Sequence, residues 1–181
     1  AKRLAQDGAT VAINYSQSAD KAEVVVKEIT QNGGKAIALQ ADVSKIADLE
    51  RLFDQTIEQL GKVDILVNCA GVVVYKPLVE VSETDFDKIF AINVKGTYFA
   101  CQQAAKKMAD NGRIINISST TTAMMLPTYS AYVATKGAVE QISRVLAKEV
   151  GDRGITVNIV SPGPTDTQLC NLKDKMALIE S

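Results

Sequence analysis

Short runs of apolar and β-branched residues alternate with longer stretches of helical period along this chain, and that alternation permits few architectures. Strands joined by helical crossovers pair in parallel, because each crossover returns the chain to the edge it left. Thr10–Asn14, Lys35–Gln40, Val63–Val67, Arg113–Ile117 and Ile155–Val160 read as strands. Val63–Val67 is almost wholly apolar, as expected of a strand covered on both faces. Between them lie amphipathic stretches. A partial helix over Ala1–Asp7 stops at Gly8. Ser18 stands where a cap belongs for a helix reaching Asn32, with Ala22, Val25, Val26 and Ile29 on one face and Gly33 at its end. Ser44 starts the next helix, whose Ile46, Leu49, Phe53, Ile57 and Leu60 form an apolar stripe closed by Gly61. Ser82-x-x-Asp85 resembles a capping box and opens a helical region to about Ala109. Ser130–Val150 completes the set, and Lys173–Ile179 has helical propensity without a strong cap. The pattern predicts an α/β fold of three layers, α/β/α, around a doubly wound parallel sheet. No repeat or interdomain linker interrupts it, so residues 1–181 read as a single domain.

One strand is conspicuously missing from this plan. The chain opens inside a helix, whereas a doubly wound sheet begins with a strand and a Gly-rich turn. That first strand normally lies between the second and the fourth. Without it, Thr10–Asn14 and Val63–Val67 are expected to face each other across a gap, with backbone groups unpaired. The expectation is therefore a partial domain, incomplete at both ends.

Composition narrows the function. Apolar residues make up 46% and charged residues 23% of the chain, the profile of a soluble globular domain. A formal charge of −1, with no basic block beyond Lys106-Lys107, speaks against nucleic acid or an anionic membrane surface as partner. Asp64 and Asn68 interrupt the most apolar stretch, so no segment has the length of a membrane span. Three widely spaced cysteines give no disulfide framework, and the absence of histidine removes a zinc site or His-based triad. No metal is expected. The cytoplasm is the default compartment.

Proton chemistry must then come from elsewhere. Tyr132 and Lys136 stand four apart on the Ser130–Val150 helix, a spacing that brings Cβ atoms to roughly 5–6 Å. A free phenol titrates near ~10, too high for acid-base work at neutrality, and an adjacent ammonium favours the phenolate. The other tyrosines, Tyr15, Tyr75, Tyr98 and Tyr129, have no lysine at that spacing. The plainer reading is an interface aromatic beside a solvated charge. Further polar residues gather at strand ends: Asn68-Cys69-Ala70-Gly71 after Val63–Val67, Asp42-Val43 after Lys35–Gln40, Ser118-Ser119 after Arg113–Ile117, and Pro162-Gly163 with Thr165 and Thr167 after Ile155–Val160. In open α/β sheets ligands bind at that carboxyl edge. Each is also an ordinary turn. Asp42 either accepts from a base amino group or precedes the Ser44 cap. Asn93, inside a helix, either has a task for its amide or faces solvent.

Asn68-x-Ala70-Gly71, Asn93, Ser119, Tyr132-x-x-x-Lys136 and Pro162-Gly163-x-x-x-Thr167 stand in the order and approximate spacing of the short-chain dehydrogenase/reductase family, and the resemblance spans essentially the whole chain. It implies a Rossmann-like fold. It also implies a role for each matching position. Tyr132 would be the general acid in reduction and the base in oxidation. Ser119, thirteen residues before it, would polarise the substrate carbonyl. Lys136 would lower the tyrosine pKa and bind the nicotinamide ribose, and Asn93 would position a water that passes protons to bulk. Asn68, Ala70 and Gly71 would line the adenosine and ribose path, Asp42 with Val43 the adenine, and Thr167 the carboxamide or pyrophosphate beyond the Pro162-Gly163 turn, near Thr165. The family's Gly-rich turn and its last strand are absent from this sequence, so the span alone is expected to bind cofactor poorly.

The second strand ends Ile13-Asn14-Tyr15-Ser16 without a carboxylate to hold a ribose 2′-hydroxyl, which predicts NADP with Asn14 and Ser16 near its phosphate, NAD remaining possible. Ala123–Pro127 and Val72–Tyr75 suggest an apolar pocket. The resemblance is strongest to 3-oxoacyl-acyl-carrier-protein reductases and nearby sugar or polyol dehydrogenases. It implies hydride transfer between NADP(H) and a small carbonyl or alcohol, in a homotetramer built on the helices around Thr97–Ala109 and Tyr132–Val150. The alternatives are an NAD(P)-linked sugar or polyol dehydrogenase and a non-catalytic family relative serving as a scaffold.

Overall fold

The computed structural model describes residues 1–165. Thr167 and the Lys173–Ile179 segment lie outside the described residues. The chain opens with helix α1 (Lys2–Gln6), then strand β1 (Thr10–Tyr15), helix α2 (Ala19–Gln31) and strand β2 (Lys35–Gln40). Strands β1 and β2 pair in parallel from Thr10↔Lys35 to Tyr15↔Gln40. Ser18 occupies the N-cap of α2 without a side-chain capping bond. Helix α3 (Ile46–Leu60) starts two residues later than its sequence suggests. The cause is local: Ser44 donates through both its backbone N–H (3.0 Å) and its hydroxyl (2.7 Å) to Asp42 Oδ1, forming a side-chain-stabilised turn instead of a cap. Of the predicted stripe, Leu49 and Phe53 are buried.

Strand β3 (Ile65–Asn68) leads to a one-turn 3₁₀ segment, Leu78–Glu80, and to helix α4 (Glu83–Phe90). The capping box is present, with Ser82 and Asp85 each bonding the other's backbone N–H. The helical region does not run on uniformly. Ala91–Gly96 widens into a π-helical turn before helix α5 (Thr97–Lys107) resumes the α pattern. Strand β4 (Arg113–Ile117) follows, then a short helix α6 (Thr121–Met124) that the sequence pattern does not announce. The long helix α7 (Ser130–Glu149) and strand β5 (Thr156–Val160) complete the described chain.

Strands β3, β4 and β5 form a second parallel sheet in that order, with β4 in the middle. Val63 and Asp64, read as part of β3, instead accept bonds from Ala109 and Arg113 just ahead of the ladder. Among the described residues β1 and β3 do not pair, so the gap expected from the sequence is present. Neither contains a fully buried residue, and Ile65 is 43% exposed. In contrast, β4 buries Ile114 and Asn116 completely. Phe53, Cys101, Ala104, Met108, Ile114 and Leu146 build the core where α3, α5 and α7 meet β4. No described helix is long and apolar enough to cross a membrane.

Candidate active site

The carboxyl ends of β3, β4 and β5 open onto one cavity of about 380 Å³, which Tyr132 and Lys136 of α7 also line. Gly71, Ser119, Tyr132, Lys136 and Gly163 all line it. The parallel register explains the convergence, since equal strand ends put their outgoing turns on one edge.

Lys136 is 6% exposed, and its Nζ donates to Ile117 O at 2.7 Å, tying α7 to the end of β4. The same Nζ lies 5.6 Å from the centre of the Tyr132 ring. Burial pushes the Lys136 pKa below its ordinary value, while the nearby Cys69 thiol acts in the opposite direction. An ammonium has three donors, so one bond to Ile117 leaves capacity for a ligand's hydroxyls. Tyr132 also meets Tyr129 edge-on, with centroids 6.1 Å apart, and Tyr129 in turn meets Tyr75 at 4.8 Å. A row of three rings thus borders the cavity.

The adjacent serines separate cleanly. Ser118 Oγ donates to Glu140 Oε1 at 2.7 Å and is 2% exposed. Ser119 Oγ accepts from Thr121 N (3.2 Å) and Thr121 Oγ1 (2.9 Å), which leaves its own proton to offer.

Asn93 is buried in the π turn rather than facing solvent. Its Oδ1 accepts from Val72 N at 2.8 Å, and its Nδ2 donates to Val72 O at 2.9 Å and Thr135 Oγ1 at 3.1 Å. Thr135 Oγ1 then donates to Tyr132 O at 2.7 Å. The amide therefore latches the loop after β3 to the turn of α7 that carries Tyr132. Gly71 fits this arrangement: a Cβ there would lie 3.5 Å from Asn93 Oδ1 and 3.8 Å from Lys136 Nζ, filling the cavity wall.

The remaining predicted positions divide. The Asn68 amide points away from the cavity, donating to Asn116 Oδ1 at 2.8 Å, while the following Ala70 is exposed. Asp42 Oδ1 accepts both Ser44 bonds, which form the turn ahead of α3, and Oδ2 lies 4.0 Å from Lys45 Nζ. Val43 packs against Gly96, where a Cβ would come within 3.1 Å of both Val43 Cγ2 and Val43 O. A side chain at position 96 would require Val43, including its backbone carbonyl, to give way by a few tenths of an ångström. Asn14, expected beside a 2′-phosphate, spends its Nδ2 on Ala41 O at 2.9 Å, because the strand end offers a carbonyl within reach. Ser16 is exposed at the same end. Pro162 O accepts from Thr120 N and Thr120 Oγ1, joining the turns after β4 and β5, and Thr165 Oγ1 donates to Gly163 O. Thr135, Thr121 and Glu140 were not singled out by the sequence pattern. A signal was available for Thr135 alone, which shares a buried face of α7 with Lys136, Val139 and Ser143, three of the four being polar. Among the described residues no cluster of His, Cys, Asp or Glu could hold a metal.

A family model described as short chain dehydrogenase matches residues 1–177. An uncharacterized oxidoreductase of Methylorubrum extorquens is 46% identical over 168 residues, covering 93% of this chain and 68% of its own length. Several curated relatives are longer still by comparison, the chain spanning 64% of a short-chain dehydrogenase/reductase of Pestalotiopsis microspora. The crystal structure of a dehydrogenase/reductase from Sinorhizobium meliloti superposes with a TM-score of 0.95 at 42% identity, over 99% of this chain and 73% of that one. A putative dehydrogenase from Burkholderia cenocepacia with bound NADP gives 0.92 at 34% identity, over 99% and 69%.

Proposed function

The chain belongs to the short-chain dehydrogenase family, and from that premise we propose that residues 1–181 form a dinucleotide-binding catalytic domain, part of an oxidoreductase that moves a hydride between NADP(H) and a carbonyl or alcohol. The observation that carries this reading is the buried Lys136 ammonium beside the Tyr132 ring on the wall of a cavity that Ser119 also lines.

The residues fit the nicotinamide end of such a cofactor. Lys136 has donors left for ribose hydroxyls, and Gly71 and Gly163 leave backbone open to the cavity. When bound, the nicotinamide supplies or takes up the hydride. Tyr132 gives its phenolic proton to the carbonyl oxygen in reduction and recovers it in oxidation. The Lys136 ammonium, 5.6 Å from the ring centre, would favour the negative charge left on Tyr132 when its proton is given up. Ser119 holds the same oxygen with the proton that its bonds to Thr121 leave available. Asn93 keeps the Val72 loop and α7 in register. Asn93, whose amide binds Val72 and Thr135, would position a proton-relaying water from the π turn beside α7.

NADP is favoured over NAD because β1 ends without a carboxylate and because the Burkholderia neighbour carries NADP. Ser16 is the better placed of the two predicted phosphate contacts, since the Asn14 donor is engaged. Asp42 and Val43 would border the adenine, Gly71 and the main chain of Asn68 and Ala70 the ribose path, and Pro162, Gly163 and Thr165 the carboxamide or pyrophosphate side, where Thr167, outside the described residues, is also expected. Val72, Val73, Met124, Leu126 and Tyr129 make the cavity wall largely apolar. That supports a 3-oxoacyl thioester or another hydrophobic ketone over a sugar or polyol. Tyr98 and Val145, half exposed on α5 and α7, support a homotetramer through those helices, which size-exclusion chromatography would test.

The deciding experiment pairs calorimetric NADPH binding by the full-length protein with NADPH consumption on 3-oxoacyl thioesters, hydrophobic ketones and polyols. Binding with turnover of the first two classes is expected. A protein that binds neither NADPH nor NADH would overturn the reading.

A further inference from the structure

Ser119 and Tyr132 must meet at one oxygen atom, yet they come from different elements: Ser119 from the turn after β4, Tyr132 from α7. Something has to hold turn and helix at a fixed spacing. Ser119 itself does not, since its bonds stay within the turn, to Thr121 and, through its carbonyl, to Thr122. Lys136 binds Ile117 O on one side of the turn. The remaining ties converge on Glu140, one helical turn beyond Lys136.

Glu140 Oε1 accepts from Ser118 Oγ at 2.7 Å and from Thr122 Oγ1 at 3.0 Å. The two donors bracket Ser119 in the chain. Ser118 is almost wholly buried, and hydroxyl-to-carboxylate bonds of this length are among the stronger ones. The single Thr122 proton is shared between Glu140 Oε1 and Ser119 O at 2.9 Å, so the carboxylate and the Ser119 backbone belong to one network. The Glu140 side chain is 18% exposed, and Arg144, 3.9 Å from Oε2, lies on the solvent side.

We propose that Glu140 is a positioning residue: it clamps the turn on both sides of Ser119 to α7 and thereby sets the distance between the Ser119 hydroxyl and the Tyr132 phenol. The proposal rests on the reading of Ser119 and Tyr132 given above. It differs from a merely structural role, because what it predicts is a loss of alignment at an otherwise intact cofactor site.

The test uses the full-length holoenzyme and the variants Glu140→Ala, Glu140→Gln and Ser118→Ala. An ångström of misplacement costs on the order of 100-fold, so Glu140→Ala should lower kcat about 10–100-fold, with NADPH affinity within about twofold of wild type. Glu140→Gln keeps an acceptor oxygen and should recover kcat to within about threefold of wild type. Hydrogen exchange over residues 118–124 should rise in Glu140→Ala and stay at the wild-type level in Glu140→Gln. Ser118→Ala removes a donor without stranding a buried charge, and gives the same readouts if Glu140→Ala does not fold. Equal kcat losses in the Ala and Gln variants, or unchanged exchange in both Glu140→Ala and Ser118→Ala, would overturn the clamp. If the wild type reduces no carbonyl, the functional reading fails, and the exchange arm still decides the clamp.

Discussion

Lys136 shows what the site costs one residue. Its ammonium sits inside the protein with a backbone carbonyl for a partner, and burial lowers its pKa. The native state therefore holds that proton less tightly than the unfolded chain. While both states are protonated the penalty is constant. It shrinks as pH rises from the depressed native value toward the ordinary 10.5. Wild type should thus gain stability relative to Lys136→Met across that window and none below it, as read from unfolding midpoints of the two proteins at stepped pH. A difference that stays flat throughout would contradict the buried-ammonium account. Spacing together with the family resemblance picked out Tyr132, Lys136 and Ser119 in the sequence, because a helical period and a family interval are linear quantities. Partners were not legible. That Ser118 is taken by Glu140, or that the Asn93 amide is consumed by Val72, depends on how separate elements approach, which spacing does not encode.

At the scale of elements, the π turn over Ala91–Gly96 is the joint on which the site depends. It carries Asn93 toward α7 and brings Gly96 against Val43. Gly96→Ala puts a methyl 3.1 Å from the Val43 carbonyl oxygen, and backbone cannot yield as a side-chain tip does. It should destabilise the protein by about 1–3 kcal/mol, measured by urea unfolding, and weaken NADPH binding through the displaced loop. An unchanged unfolding midpoint would contradict the close approach. The start of α4 makes a second prediction. Hydrogen bonds from Lys76 and Ser82 hold the Asp85 carboxyl at about 2, well below its ordinary 3.8. Its contribution to stability is present above 3.8 and fades as pH falls toward about 2. Lys76→Met should move the Asp85 titration upward toward the ordinary value, observed by carboxyl NMR; an unmoved titration would contradict the Lys76 contact. The capping box behind this was readable as Ser82-x-x-Asp85. The π turn was not, since i+4 and i+5 bonding are separated by tertiary contacts rather than by residue type. Helix α6 escaped for a simpler reason: four residues carry no period.

For the molecule as a whole, the alternation of strands and helices determined the class, and the parallel register then determined which edge carries the cavity. The split between the β1–β2 pair and the β3–β4–β5 sheet was legible too, as a backbone-pairing argument about which strands lacked a neighbour. The cavity walls were legible only as apolar segments, because wall identity needs the turns after three strands to be assembled. All of this converges on a single claim, that the strand ends and α7 build an acid–base centre beside a nicotinamide site. Tyrosine to phenylalanine at position 132 tests it most directly, since it removes one oxygen and keeps the ring row with Tyr129. The measurement is NADPH affinity and carbonyl turnover for Tyr132→Phe in the full-length protein. The account predicts binding within about threefold of wild type and turnover lower by about 10²–10⁴-fold, the range for losing a general acid. Turnover within about tenfold of wild type, or binding lost in step with turnover, would contradict it.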